Sequence, residues 1–438
     1  MSPMRVLSAS RNGRLLPWLW FAGALVAAPW VFSGGAALSL LSQMGTMILL
    51  CLSCNLLLGE GGMLSFGHAV YSGLGAFGAA HLMNRIGEGA LDFPVTLVPL
   101  AAGLVGAACG VVFGYPTTRR AGTTFAMITL GLVELVSAAV LMFPEIFGGE
   151  GGIATDRVAG APVLGISYGP QLQVYYLIAG WLLVGAVALR ALTGTPLGRM
   201  LNAVRDNPQR AAFVGYDPQR VRYLALILSA FFAGVAGGLS TINFEIVSAE
   251  NVGAARSGEI LLFTFIGGAA HFYGPILGGV VGVLFSSWLS GYTQAWHFYL
   301  GGFFILMVMA APNGLAGLTD RLWRVWRARA LNGALAVLLA AFALAGGLAL
   351  AGVILATEML YQLSLGSLAG IGDAVAPLRL WGLAFPLQTV WPWLIAGALT
   401  GVGVAAILRL RRAWRPLWSA AWRQVEAAEA AASHGRAT

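Results

Sequence analysis

The chain has 438 residues, 58% hydrophobic and only 10% charged, against roughly 25% charged in a soluble globular protein. A mean hydropathy of +0.80 leaves too little polar surface to cover a water-soluble body of this size, so lipid is the solvent that fits. All 25 basic residues are arginine and the net charge is +8. The absence of lysine excludes a Walker A phosphate loop and Schiff-base chemistry by their usual routes. The arginines fall in short bursts between apolar runs, a pattern of membrane topology rather than of a groove for nucleic acid.

Arg5, Arg11 and Arg14 precede an apolar stretch with no small-residue cleavage site followed by a polar start. That reads as a retained signal-anchor helix. About 20 apolar residues cross the hydrocarbon core as a helix. Candidate segments are 15–33, 37–58, 62–83, 94–118, 122–143, 171–193, 222–242, 258–271, 274–292, 298–318, 331–356 and 390–408. Segment 258–271 is short for a full span and reads as half-embedded or broken. The fold class expected is all-α, a polytopic bundle of roughly 10–12 membrane segments with a cytoplasmic N-terminus. With that orientation, 21 arginines face the cytoplasm and only Arg85, Arg157, Arg256 and Arg379 face outside, a split of 21 to 4 that the positive-inside rule predicts. Most acidic residues, among them Glu145, Glu150, Glu245, Glu250, Glu259, Glu358 and Asp373, then fall outside.

Composition shifts near residue 320. Upstream, the apolar runs are dense in glycine, which lets membrane helices approach closely. Downstream they are Ala/Leu-rich. Residues 1–320 read as a functional core, and 321–438 as an extension of two further transmembrane helices and a cytoplasmic tail.

In segment 62–83, Ser65, His68 and Ser72 take helical spacing and share one face. They either glue helices together or line a translocation path, and Asn55 at the end of the preceding span joins the set. Glu134 is the carboxylate placed mid-segment in 122–143, sharing a face with Gly131 and Ser137. Its insertion cost of about 2.5–3.5 kcal/mol predicts that it faces the protein interior, as a path residue, a proton relay, or a capped carboxylate beside Asn55 or His68.

The long loop 195–223 mixes apolar, small and charged residues, with Leu201, Val204, Arg205 and Pro208 at helical spacing. A helix held between two spans can dock on a cytoplasmic protein and transmit its motion. Its candidate coupling residues are Gly198, Arg199, Asn202, Ala203, Arg205, Asp206, Asn207, Arg210 and Gly215. Cys51 and Cys54 have C-x-x-C spacing but no second pair follows, so with Cys109 they read as small buried hydrophobes. The five histidines form no HExxH pair, and GGEGG at 148–152 lacks a βαβ setting, so no metal, dinucleotide or catalytic site is expected.

At these stretches the sequence resembles the LivM-type permease subunits of ABC importers for branched-chain amino acids and related small solutes. The early motif is carried by Asn55, Leu56, Gly59, Gly62, Ser65, Gly67, His68, Ala69, Gly73, Gly75, Ala76 and Phe77; the next by Phe125, Ala126, Thr129, Leu130 and Glu134. The loop motif falls on Gly198, Arg199, Ala203, Arg205, Asp206, Asn207, Ala211, Ala212 and Gly215. Later matches run through Ser229–Gly237, Gly267–Gly278 and Pro312–Gly317. The resemblance covers about residues 38–318. It departs at Glu60, where an aromatic or small residue is expected, at Met63, and in the extra pair of spans after Arg329.

The resemblance implies an importer of the bacterial inner membrane made of this subunit, a LivH-type second permease, two ABC ATPase subunits and an extracytoplasmic solute-binding protein. Residues 199–215 are then the coupling helix seated in an ATPase groove. The chain holds no cofactor of its own, ATP-Mg residing on the partner ATPases. The competing expectations are a stand-alone secondary transporter or channel using Glu134 and His68, and a membrane enzyme, for which the residues offer no catalytic set.

Overall fold

The computed structural model describes residues 11–158, 167–328, 330, 333–368, 378–380, 383–387 and 389–434; Arg5, Arg329, Asp373 and Arg436 lie outside them. Helices follow one another as α1 (Arg11–Val31), α2 (Gly35–Asn55), α3 (His68–Gly87), α4 (Val98–Thr117), α5 (Thr123–Met142), α6 (Pro144–Phe147), α7 (Gln171–Gly194), α8 (Pro196–Asp206), α9 (Pro208–Phe213), α10 (Pro218–Phe244), α11 (Ala254–Gly267), α12 (Gly274–Val283), α13 (Trp296–Ala310), α14 (Gly314–Arg327), α15 (Gly333–Leu368) and α16 (Val390–His434). The strands form two short antiparallel pairs: β1 (Ile153–Ala154) with β2 (Ile246–Val247), and β3 (Leu378–Leu380) with β4 (Leu383–Phe385). The protein is an all-α membrane bundle.

Among the described residues, eight helices are long and apolar enough to cross a membrane, or nine if α13 and α14, bent by 49° at their junction, make one span. A helix stands at each of the segments expected from the sequence, with three qualifications. The apolar part of α1, Leu16–Val31, is shorter than the helices counted. α3 is long enough but too polar to count by apolarity alone, since it buries His68 and Ser72 and ends on Arg85. α11 has 14 residues, about 21 Å of helix, and is short of the roughly 30 Å core.

The chain divides into two compact units, Met1–Tyr292 with Leu300–Gly317, and Thr293–Tyr299 with Leu318–Thr438. In the first, α10 is the hub, packed on α2, α3 and α4. Glycine makes that packing possible. A Cβ at Gly237 would run into the Ser72 carbonyl of α3, and one at Gly234 into the Ala102 carbonyl of α4. Backbones touch there because no side chain stands between them. The larger buried side chains, Tyr71, Phe77, Phe125, Phe263, Leu49 and Leu226, fill the remaining space.

In the second unit α15 packs along α16, and β3–β4 closes a small core of Leu355, Met359, Leu378, Phe385, Leu387 and Ala396. Trp414, Trp418 and Trp422 stack at 4.9 and 6.3 Å along α16, the spacing expected for side chains one turn apart. Arg324 bridges Asp320 at 3.0 Å and Glu429 at 3.7 Å.

Candidate functional site

The functional side chains of the first unit fall into three groups: a helical lever at the arginine-rich end of the bundle, a sealed polar cluster inside it, and a set of charges halfway along its surface.

The lever is α8. Thr195 caps it, its hydroxyl accepting from the Gly198 N–H at 3.4 Å, and Pro196 begins it where no N–H is needed. Gly198, Leu201 and Val204 form its buried stripe. Asn207 ends α8 and caps α9, its side-chain oxygen accepting from the Arg210 N–H at 2.9 Å; Asp217 caps α10 in the same way through Gln219. Two short helices and the start of the long α10 are therefore fixed by their own caps. Gly215, at φ +93°, turns the chain between the last two.

The lever is tied to the bundle at a glycine turn. The Asn202 amide donates to Glu60 at 2.6 Å. The Arg205 guanidinium donates to the Gly59 carbonyl and pairs with Asp206 at 3.1 Å. Gly62 sits at φ +62° against the Arg205 side chain, a conformation and a closeness that only glycine supplies. Thus Glu60, which departs from the family motif, holds the lever. Arg199, Asp206, Asn207 and Arg210 are exposed, Asp206 while paired with Arg205 and Asn207 while capping α9. Beyond them Phe213 is 91% exposed and Val214 72%. Position within the loop gave no signal for this apolar knob, because α9 buries only Ala211. An open groove beside it is lined by Arg119, Arg120, Thr124, Pro208, Gln209 and Arg222, which brings the 119–120 arginines to the same end as the lever.

The polar cluster lies under that turn. His68 Nε2 and the Ser53 hydroxyl are 2.7 Å apart. Ser229 donates to the Ser53 carbonyl at 2.7 Å, and Ser257 accepts from the Ala69 N–H at 3.1 Å. One short ladder thus joins α2, α3, α10 and α11. Asn55, Ser65 and His68 are all buried. The expected shared helical face of Ser65, His68 and Ser72 is corrected by the structure. Gly61, Gly62 and Gly67 keep the chain out of helix until His68, so Ser65 stands in the turn, accepting from the Gly67 N–H at 3.3 Å. Ser72 alone of the three reaches a crevice, lined also by Thr46, Ser240, Asn251 and Arg256.

Glu134 corrects a second expectation. It faces outward rather than into the protein, on the uncovered side of α5 with Gly131 and Leu135. It has no hydrogen-bond or ion-pair partner among the described residues, and neither Asn55 nor His68 reaches it. The buried stripe of α5 is Phe125, Ala126, Thr129, Val133, Val136 and Val140; with those positions filled by apolar packing on α3, position 134 is rotated away from the core.

The region before α11 corrects a third. Residues 249–252 form a short 3₁₀ turn packed deep against α3: Val252 and the Asn251 carbonyl abut Gly73. α11 therefore starts inside the bundle rather than outside it, and Glu259, expected on the outer face, lies halfway down. It pairs with Arg256 at 3.1 Å. Sequence reasoning missed this pair because the apolar run begins only after it.

The fold and this site define a multi-pass membrane protein built as a permease subunit. A family model described as "Branched-chain amino acid transport system / permease component" matches residues 36–311, and the chain belongs to that family. It is 30% identical over 315 residues to the high-affinity branched-chain amino acid transport system permease protein LivM of Salmonella typhimurium, covering 67% of this chain and 73% of that one. The LivM protein of Escherichia coli is 30% identical over 293 residues, 62% of this chain and 68% of that one. A probable branched-chain amino acid transport permease protein LivH of Methanocaldococcus jannaschii is 27% identical over 266 residues, 58% and 82% of the two chains. No solved structure matches the chain.

Proposed function

We propose that this chain is one permease half of an ATP-driven importer of the bacterial inner membrane. It carries branched-chain amino acids or similar small polar solutes, and α8–α9 is its coupling element toward ATPase subunits. The partners implied are a LivH-type second permease, two ABC ATPases and an extracytoplasmic binding protein, with ATP-Mg held by the ATPases. The observation that carries the reading is the lever itself: a capped amphipathic helix, tied through Asn202 and Arg205 to the turn that leads into α3, next to an exposed apolar knob at Phe213 and Val214. A groove-seated helix needs an anchor for its partner and a rigid link to the bundle, and α8–α9 has both.

Within this reading the path residues are Ser72 and Glu134, while Asn55, Ser65 and His68 hold the helices that frame it. Proteoliposomes containing both permeases and both ATPases, supplied with the binding protein, should take up labelled leucine only with ATP inside. A thiol-reactive probe should reach Asp206→Cys only from the nucleotide side. Gradient-driven flux by this chain alone would instead support the secondary-transporter reading, and labelling of position 206 from outside would end the coupling reading.

A further inference from the structure

Most of the second compact unit lies beyond residue 311, where the family match ends, and its two long helices are out of step. α15 and α16 run antiparallel. The Phe342 and Trp414 rings meet edge-on at 5.5 Å, and a Cβ at Gly403 would meet the Ala349 backbone. Arg409, Arg411 and Arg412 stand between those two contacts, level with 342–349 of α15, and Arg415 follows Trp414 directly. At that level α15 is apolar on every side. It carries no polar side chain from Gly333 to Ala356, and Val337 and Leu344 are 70% and 74% exposed. From Phe342 the same apolar helix runs on for about 14 Å to its Gly333 end.

The four arginines are exposed, and none of them has a hydrogen-bond, ion-pair or ring partner among the described residues. The described acidic side chains of this unit are engaged or distant. Asp320 and Glu429 hold Arg324, Glu358 accepts from Thr293 and Tyr299, and Glu426 stands about 16 Å of helix beyond Arg415. Each guanidinium therefore keeps its charge and its N–H donors for something outside the protein. Trp414 and Trp418 stack along the same stretch, and α14 packs on it while exposing Trp323 and Trp326; tryptophan favours the headgroup level of a bilayer. Water solvates the arginines but not Val337 and Leu344, and hydrocarbon does the reverse. A molecule with an anionic head and an acyl tail meets both. A zwitterionic lipid brings its own cation, so four unpaired arginines select a lipid of net negative charge.

We propose that Arg409, Arg411, Arg412 and Arg415 form a docking surface for anionic phospholipid. The lipid phosphates accept from the guanidinium groups, and the acyl chains lie along the exposed apolar residues of α15. This gives the helix pair beyond the family match a task of its own, and it does not depend on the permease reading.

The test uses the full chain reconstituted in bilayers. Ala413 is exposed among the arginines, so Ala413→Cys places a fluorophore at the surface. Cys51 and Cys54 are buried and Cys109 half-buried, and protein labelled without Ala413→Cys supplies the blank. Phosphatidylglycerol and phosphatidylcholine, each with a nitroxide on its acyl chain, are compared as quenchers at equal mole fraction. The anionic lipid should quench more strongly, and added salt should narrow the difference. Each arginine contributes about fivefold to the preference. Arg411→Gln combined with Arg412→Gln should therefore lower it by up to about 25-fold, and Arg411→Lys with Arg412→Lys should retain most of it. Neither side chain has a partner among the described residues, so the glutamine variant keeps the fold, checked as an unchanged monodisperse yield.

Equal quenching by the two lipids in the otherwise unchanged chain, or a preference that survives in the glutamine variant, would overturn the proposal. So would inorganic phosphate that abolishes the preference where chloride at the same ionic strength does not, because the arginines would then bind free phosphate rather than lipid.

Discussion

Phe213 offers the sharpest test of how force enters the bundle. Its ring is 91% exposed and Val214 beside it 72%, on a turn set by Gly215 at φ +93°. Burying a phenylalanine side chain on a partner contributes roughly 1.5–3 kcal/mol. Phe213→Ala should therefore weaken ATPase association by about 10- to 100-fold. The same ring contributes little to the permease's own fold, where a change at an exposed site costs within about 0.5 kcal/mol. The assay is a titration of purified ATPase subunits onto the solubilised permease pair, run beside thermal unfolding of that pair alone. The expected result is a raised Kd with an unchanged Tm. An unchanged Kd, or a Tm loss that accounts for the weakened association, would refute the reasoning.

Other consequences are as specific. Arg205→Ala removes the link to the Gly59 carbonyl from a side chain that is 39% exposed, a loss discounted by solvent to about 1 kcal/mol. ATPases should still bind, and the ATP hydrolysed per solute transported should rise in proteoliposomes; Asn202→Leu, which cuts the bond to Glu60, should add to it. Gly237→Val drives a side chain into the Ser72 backbone of α3 and should cost more than the roughly 1–3 kcal/mol of ordinary overpacking, seen as lost monodisperse yield and a lower Tm. His68→Leu should retain most uptake despite a lowered Tm, since His68 holds Ser53 at 2.7 Å inside the helix junction. Complete loss of transport in a folded His68→Leu complex would favour a proton-relay role instead.

Much of this protein was legible along the chain. The 10% charged composition demanded lipid, and the apolar runs gave the helices, because each span must satisfy its own backbone. The spacing of Leu201, Val204 and Arg205 marked α8, but that spacing runs on through Pro208, whereas the Asn207 cap ends that helix and starts α9. The ordered motifs around Ser65–Phe77 and Arg199–Gly215 carried the family.

The rotation of α5 was not legible. Glu134 has the same helical position whether it faces the core or away from it, and the choice was made by valines 133, 136 and 140 meeting Phe77 and Val252 from distant parts of the chain. The depth of Arg256 and Glu259 was hidden for a related reason: hydropathy sees where an apolar run begins, whereas a turn buried against Gly73 carries the start of α11 inward. Glu60 looked like an irregularity until Asn202, 142 positions away, met it. Local sequence sets which segments are helical and where they stop, because those energies act within a turn or two. Which face of each helix is covered, and at what depth its charges lie, depends on contacts between segments far apart, and only the packed bundle decides them.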